Sequence, residues 1–197
     1  MIYGLTGGIA SGKSTLTKVA KTMGIAVWDA DAVTHDLYRN DLWTMAMIGQ
    51  HFPDCIDYRS IPYIDRRLLG DVVFSDREQM VVLNDIVGTR LRGCLEDFLR
   101  TTKGTRLLDV PLLLESGWES YCDEVIVLHC PPNVQRERMA ARGISPERME
   151  QILSQQWTNA EREPYADHII DSSAERTLMI ERFRQILDRS DDVAFTI

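Results

Sequence analysis

The hydrophobic positions of this chain change period several times, and each change marks an element. Met1–Leu5 is a short apolar run that ends against Gly7-Gly8, the pattern of a strand buried on both faces. Lys13–Met23 switches to helical spacing, with Gly24 placed as a C-terminal stop. Ile25–Trp28 returns to a short strand. Strand, loop, helix and strand in that order open a parallel α/β sheet. Residues 32–103 contain no convincing strand pattern. There Val33–Arg39, Leu42–His51, Asp65–Phe74 and Arg77–Arg100 carry apolar residues three or four apart, which predicts a long helical insertion. Leu107–Leu114 and Val125–His129 read as strands, with Pro111 as the terminator of the first. Pro131-Pro132 precede a charged helical region over 133–160, His168–Ile170 reads as a last strand, Leu178–Leu187 as a last helix, and the tail from Ser190 as frayed. The whole predicts an α/β fold, a doubly wound parallel sheet whose strands end on one edge, where ligands bind.

Composition narrows the partners. The chain has 197 residues, 44% of them hydrophobic and 26% charged, which fits one compact domain with insertions or a core carrying two small satellite domains. A net charge of −8 argues against a phosphate-backbone binder, while a few placed cations can still hold a small phosphorylated ligand. Cys55, Cys94, Cys122 and Cys130 have no zinc spacing and read as reduced thiols. Residues 1–5 run straight into a motif, which leaves no room for a signal peptide, and Val110–Leu114 is too short to span a bilayer. The expectation is a cytoplasmic protein, a monomer or weak homo-oligomer, with neither nucleic-acid nor membrane partners.

Four motifs carry candidate chemistry. Gly7-Gly8-Ile9-Ala10-Ser11-Gly12-Lys13-Ser14-Thr15 contains GxxxxGK[ST] between a predicted strand and a predicted helix. Its glycines let backbone N–H groups converge on phosphate oxygens, and the helix N-terminus adds partial positive charge. Gly8 to Thr15 are therefore the candidate ATP-binding residues, with Lys13 bridging the β- and γ-phosphates and Ser14 a candidate Mg²⁺ ligand. Asp29-Ala30-Asp31 follows the second strand on the same edge. One carboxylate there can take a proton from an acceptor hydroxyl, and the other can hold Mg²⁺ through water or hold the acceptor's sugar. The alternative for Asp31 is a helix N-cap ahead of Ala32. Asp109, in a run of apolar residues, either faces the Mg²⁺ water shell or is satisfied by neighbouring Ser/Thr or backbone groups; Glu115 lies beyond Pro111, near the acceptor. Arg138 and Arg142 share one helix face ahead of Gly143, as lid arginines that stabilise a transferring phosphoryl group or as a solvated face in which Arg136, Glu137 and Arg138 pair with neighbours. His35 lies one turn after Asp31 and can reach the acceptor. The absence of NKxD and LSGGQ, together with the size and the insertion, favours a small-molecule kinase using ATP and Mg²⁺. Other nucleotide, nucleoside or sugar kinases, and a nucleotide-gated regulator, remain open on this reading.

Taken together, the motifs resemble the dephospho-coenzyme A kinase family. The resemblance is carried by Gly4 through Thr15, Asp29-Ala30-Asp31, Ile64-Asp65-Arg66-Arg67-Leu68 with Val73-Phe74, Leu83-Asn84, and Val110-Pro111-Leu112-Leu113-Leu114-Glu115. It continues through Gln135, Arg138, Arg142, Gln156 and Ala166-Asp167-His168-Ile169-Ile170-Asp171. Departures are Gly88-Thr89 where the family usually has His-Pro, Ser172-Ser173-Ala174 in place of Asn-x-Gly, and Arg162 near the place of a lysine. The resemblance implies a nucleotide-binding core at 1–31, 104–130 and 161–197, a helical acceptor domain at 32–103 and a lid at 131–160. It implies transfer of the ATP γ-phosphate to the 3′-hydroxyl of dephospho-coenzyme A. By position Asp31 is similar to the family's base, Lys13 to its loop lysine and Arg142 to its lid arginine, with Arg138 beside it. Asp29, His35, Leu113 and Glu115 fall where the acceptor binds.

Overall fold

The computed structural model describes residues 1–59 and 61–192. The chain divides into two compact units: Met1–Asp29 with the chain from Thr102 onward, and Ala30–Thr101.

The first unit opens with β1 (Ile2–Gly7), α1 (Lys13–Thr22) and β2 (Ala26–Asp29), close to the segments that the hydrophobic pattern marks. Gly24, with φ +78, follows the end of α1, as expected of the stop. The second unit, described below, then supplies four helices and a two-stranded ribbon. After it come β5 (Arg106–Asp109), β6 (Glu124–His129), α6 (Pro132–Ala141), α7 (Pro146–Leu153), α8 (Asn159–Arg162), β7 (His168–Asp171) and α9 (Arg176–Asp192). The five strands form one parallel sheet in the order β2-β5-β1-β6-β7. The expected doubly wound α/β architecture is thus present. β1 lies at the centre, so its residues are buried on both faces: Tyr3, Leu5 and Thr6 are each 2% exposed or less. Leu16 and Ala20 of α1, Leu107, Ile126 and Leu128 of the sheet, and Phe183 of α9 complete the core. Each large apolar side chain so buried contributes about 1.5–3 kcal/mol.

Two expectations need correction here. The strand predicted over Leu107–Leu114 stops at Asp109. Pro111 offers no N–H to a neighbouring strand, and the chain curls instead, Ser116 N–H donating to Leu112 O at 3.0 Å. The apolar run Leu112–Leu114 therefore belongs to a turn rather than to a strand. At the other end of the unit, α9 continues through Ser190 to Asp192, past the point where a frayed tail is expected; the rest of that tail, 193–197, lies outside the described residues.

The second unit is helical: α2 (Ala30–Asn40), α3 (Leu42–His51), α4 (Arg66–Ser75) and α5 (Arg77–Thr101). Its core joins Ile48, Phe52, Leu69, Val73, Leu83 and Ile86. Asp41 caps α3, accepting from Thr44 N–H at 2.8 Å, and Asp65 caps α4. A small ribbon pairs β3 (Ile56–Asp57) with β4 (Tyr63–Ile64), where no strand is predicted. Two-residue strands are too short for an alternating pattern to show.

Candidate active site

The chain leaves β1 at Gly7 and enters α1 at Lys13, so the phosphate loop spans the gap between the end of the central strand and a helix N-terminus. Gly12, the N-cap, has φ +102, a value that a side chain would strain. The first turn of α1 carries no acidic residue, so nothing on that turn offsets the helix dipole toward an incoming phosphate. Lys13 Nζ donates to Gly7 O at 2.9 Å, which folds the ammonium over the loop. Ser11 is buried, and its hydroxyl lacks a hydrogen-bond partner among the described residues. Ser14 lies exposed on the first turn. Beside the loop lies a cavity of about 220 Å³, lined by Ala10, Ser11, Gly12 and Thr15, by Arg138 and Arg142, and by Ser172, Ala174, Arg176 and Met179. Three guanidinium groups and the loop thus face one space, in a chain that is acidic as a whole.

The strand ends place carboxylates at the same edge. Asp29 and Asp109 are register partners on β2 and β5. Asp109 is 8% exposed, and Thr17 Oγ1 of α1 lies 2.6 Å from its Oδ2. One oxygen of the buried carboxylate is therefore held by a threonine of α1. At the end of β7, Ser173 donates to Asp171 from its hydroxyl at 2.6 Å and its N–H at 2.7 Å, and these bonds hold the Asp171 carboxyl below the usual range.

Asp31 and His35 belong to the second unit, both exposed on α2. Helix α2 begins at Ala30, so Asp31 sits inside its first turn rather than capping a helix that starts at Ala32.

Several expected site residues have structural duties. Leu113 is fully buried, its Cδ2 only 2.7 Å from where a side chain on Gly4 would begin, so it packs under β1 and presents no surface to an acceptor. Of the apolar residues Leu112 to Leu114, Leu112 is the exposed one. Glu115 Oε1 accepts from Arg162 Nη2 at 2.8 Å and from Trp157 N–H at 3.0 Å. Arg138 donates to Ser172 O at 2.6 Å and to Ala10 O at 3.3 Å, so it braces the loop. Arg136, two positions before Arg138 and so on another face of α6, forms an ion pair with Glu150. Arg142 lies just past α6, exposed, and Gly143 with φ +75 ends the helix there as expected.

Sequence reasoning gave no role to Gln135, Gln156 or Arg176, although the first two are among the residues that carry the family resemblance. The contacts of Gln135 and Gln156 with Ile9 reach across more than a hundred residues of chain, and no local pattern reports that; Arg176 joins the site only by lining the cavity.

A sequence model of the dephospho-CoA kinase family matches residues 1–177. The chain belongs to the dephospho-CoA kinase family. Members carry out the ATP-dependent final step of CoA biosynthesis. A dephospho-CoA kinase of Rhodopseudomonas palustris strain HaA2 is 36% identical over 194 residues, covering 95% of this chain and 94% of that protein. One from Symbiobacterium thermophilum is 38% identical over 183 residues, covering 89% and 76%. Among solved structures, TT1252 from Thermus thermophilus superposes with a TM-score of 0.84 at 28% identity, covering 96% of this chain and 97% of that one. At the level of fold alone, the dephospho-CoA kinase from Campylobacter jejuni gives a TM-score of 0.71 at 24% identity, covering 97% and 98%. The kinase reading of the loop and the family resemblance of the motifs therefore agree with the comparisons. Among the described residues, no helix is long and apolar enough to cross a membrane.

Proposed function

We propose that this chain transfers the γ-phosphate of ATP to the ribose 3′-hydroxyl of dephospho-CoA, with Lys13, Arg142 and Asp31 carrying the chemistry. The observation that supports the nucleotide half is the loop itself: Lys13 folded over it, an acid-free helix N-terminus behind it, and a cationic cavity beside it. In this reading the loop N–H groups and Lys13 hold the β- and γ-phosphates, and the cavity bounded by Arg142 and Arg176 receives the nucleoside end. Charge that spreads over the transferring oxygens is stabilised by fixed donors that need no reorganisation.

Mg²⁺ fits the donors present. It takes oxygen ligands and keeps several waters. Exposed Ser14 on the first turn would bind it directly, and Asp109, joined to α1 through Thr17, would receive its water shell. When bound, the ion neutralises charge on the phosphates.

Asp31 is the proposed base. It follows Asp29 by two residues, and Asp29 ends β2 on the ligand-binding edge of the sheet. Its carboxylate would orient the acceptor hydroxyl and take its proton as the new O–P bond forms and the bond from the γ-phosphorus to the departing ADP oxygen breaks. Asp29 is the second carboxylate of that pair, His35 is proposed as an acceptor-side residue, and the helical unit Ala30–Thr101 is proposed to hold the acceptor. Residues 131–160 are proposed as the lid. We place the reaction in the cytoplasm, a reading supported by four free cysteines.

The test is an acceptor panel assayed for ADP release, with dephospho-CoA, adenosine, AMP and simple sugars. Dephospho-CoA should have by far the highest kcat/KM, and phosphorus NMR should place the new phosphate at the 3′ position. Equal or better turnover of AMP would overturn the acceptor assignment and leave the kinase standing.

A further inference from the structure

Ile9 is held at both of its backbone groups. Gln156 Oε1 accepts its N–H at 2.9 Å, and Gln135 Nε2 donates to its carbonyl at 2.8 Å. The amides come from different places: Gln135 from the first turn of α6, Gln156 from the stretch just after α7. The side chains add a second grip, for Ile9 and Ala10 pack with Met139 and Met149 from α6 and α7. Ala10 sits at φ +61, a left-handed conformation that persists in a side-chain-bearing residue only where its surroundings over-determine it. Gly8 leaves room for the clamp: a side chain there would begin 2.5 Å from Gln135 Nε2.

We propose that Gln135 and Gln156 are positioning residues for the phosphate loop, fixing the peptide planes on either side of Ile9 before a nucleotide arrives. A loop held in its binding shape presents aimed N–H groups, whereas a loop free to rotate must be ordered by the ligand at the expense of affinity. The segment expected as a lid is therefore anchored to the loop near both of its ends, at 135 and 156. The proposal rests on the nucleotide-binding reading of that loop.

The two amides do opposite chemistry, and this makes them testable. Gln156→Glu keeps an acceptor for the Ile9 N–H. Gln135→Glu loses the donor and sets a carboxylate against the Ile9 carbonyl. Each adds the same charge near the loop, so the charge alone predicts equal effects. Gln→Met at either position removes the hydrogen bond and keeps the length. ATP affinity is measured by calorimetry, alongside kcat, KM and thermal unfolding. Gln135→Met and Gln156→Met should each weaken ATP binding about three- to tenfold, the net worth of one hydrogen bond, and raise KM for ATP more than they lower kcat. Gln135→Glu should be clearly worse than Gln156→Glu. The double Met variant should lose little more than either single one, because both amides hold the same residue. Equal effects of the two Glu variants, wild-type affinity in the Met variants, or affinity losses that merely follow lost thermal stability would overturn the proposal. Lys13→Ala is the control: normal turnover there would bring down the phosphate-loop reading itself, whereas its loss beside unaffected Gln variants would bring down the clamp alone.

Discussion

Arg162, 1% exposed, donates to Glu115 across 2.8 Å and forms a buried ion pair next to the phosphate loop. Its Nη1 lies 3.7 Å from where a side chain on Gly8 would begin. Removing one partner of such a pair leaves an uncompensated buried charge. Arg162→Met should therefore cost about 3–5 kcal/mol of stability, as should Glu115→Leu. The double variant should recover much of that loss. Urea unfolding of the four proteins measures it, and an additive double variant would show that the two charges do not depend on each other.

Lys13→Ala should lower kcat about 10²–10³-fold, equivalent to about 3–4 kcal/mol of lost transition-state stabilisation. The side chain is only partly buried and bonds back to its own loop, so the fold should survive. Circular dichroism confirms the fold, and single-turnover phosphoryl transfer reads the loss. Near-normal transfer would remove Lys13 from the mechanism.

Asp31→Asn should slow transfer about 10²–10⁴-fold with ATP affinity unchanged, since an amide cannot take the hydroxyl proton. Asp31 lies within the first turn of α2 rather than ahead of it. A fast but destabilised variant would mean that the carboxylate serves the helix dipole and not the acceptor.

Arg138 and Arg142, four residues apart, should separate. Arg142 is exposed, so Arg142→Ala should slow transfer with melting temperature nearly unchanged. Arg138 bonds the carbonyls of Ala10 and Ser172, so Arg138→Ala should cost about 1–2 kcal/mol of stability as well. Thermal scans beside steady-state kinetics decide it; a stability loss at Arg142 with none at Arg138 would reverse the assignment.

Asp41 gives a pH prediction. Hydrogen bonds from Arg90 hold its carboxyl down to about 2, from an ordinary value of 3.8. A folded pKa below the unfolded one means stability fully present above about pH 4 and lost as pH falls through about 2. Arg90 is 44% exposed, so the pair's own share is under about 1 kcal/mol. The melting-temperature gap between wild type and Asp41→Asn should be constant at neutral pH and close progressively below pH 4. A gap that persists at pH 2 would assign the stabilisation to capping alone.

The elements that could be read from the sequence are those with a local cause. Glycines, a lysine and a helix start within nine residues announce the phosphate loop, and helical spacing locates α2 to α5 to within a few residues. The end of β5 was hidden because Leu112–Leu114 is as apolar in a buried turn as in a strand. The start of α2 was hidden because Asp31 suits a cap and a first turn equally. Glu115 and Arg162 each look like ordinary surface charges until the fold brings them together over 47 residues. The amides on Ile9 were invisible for the same reason.

The sheet order also constrains the sequence of events in which this protein is made. β1 pairs with β5 and β6, whose residues begin at Arg106 and Glu124, whereas Ala30–Thr101 is one uninterrupted stretch. On the ribosome the helical unit has all of its own residues before the strands that flank β1 exist. Closing the central strand over so long a separation is slow, and an apolar strand waiting for its neighbours is prone to wrong pairings. A released chain truncated near residue 103 should therefore carry a protease-resistant helical unit beside a protease-sensitive β1. The phosphate loop would take shape only after translation has passed His129.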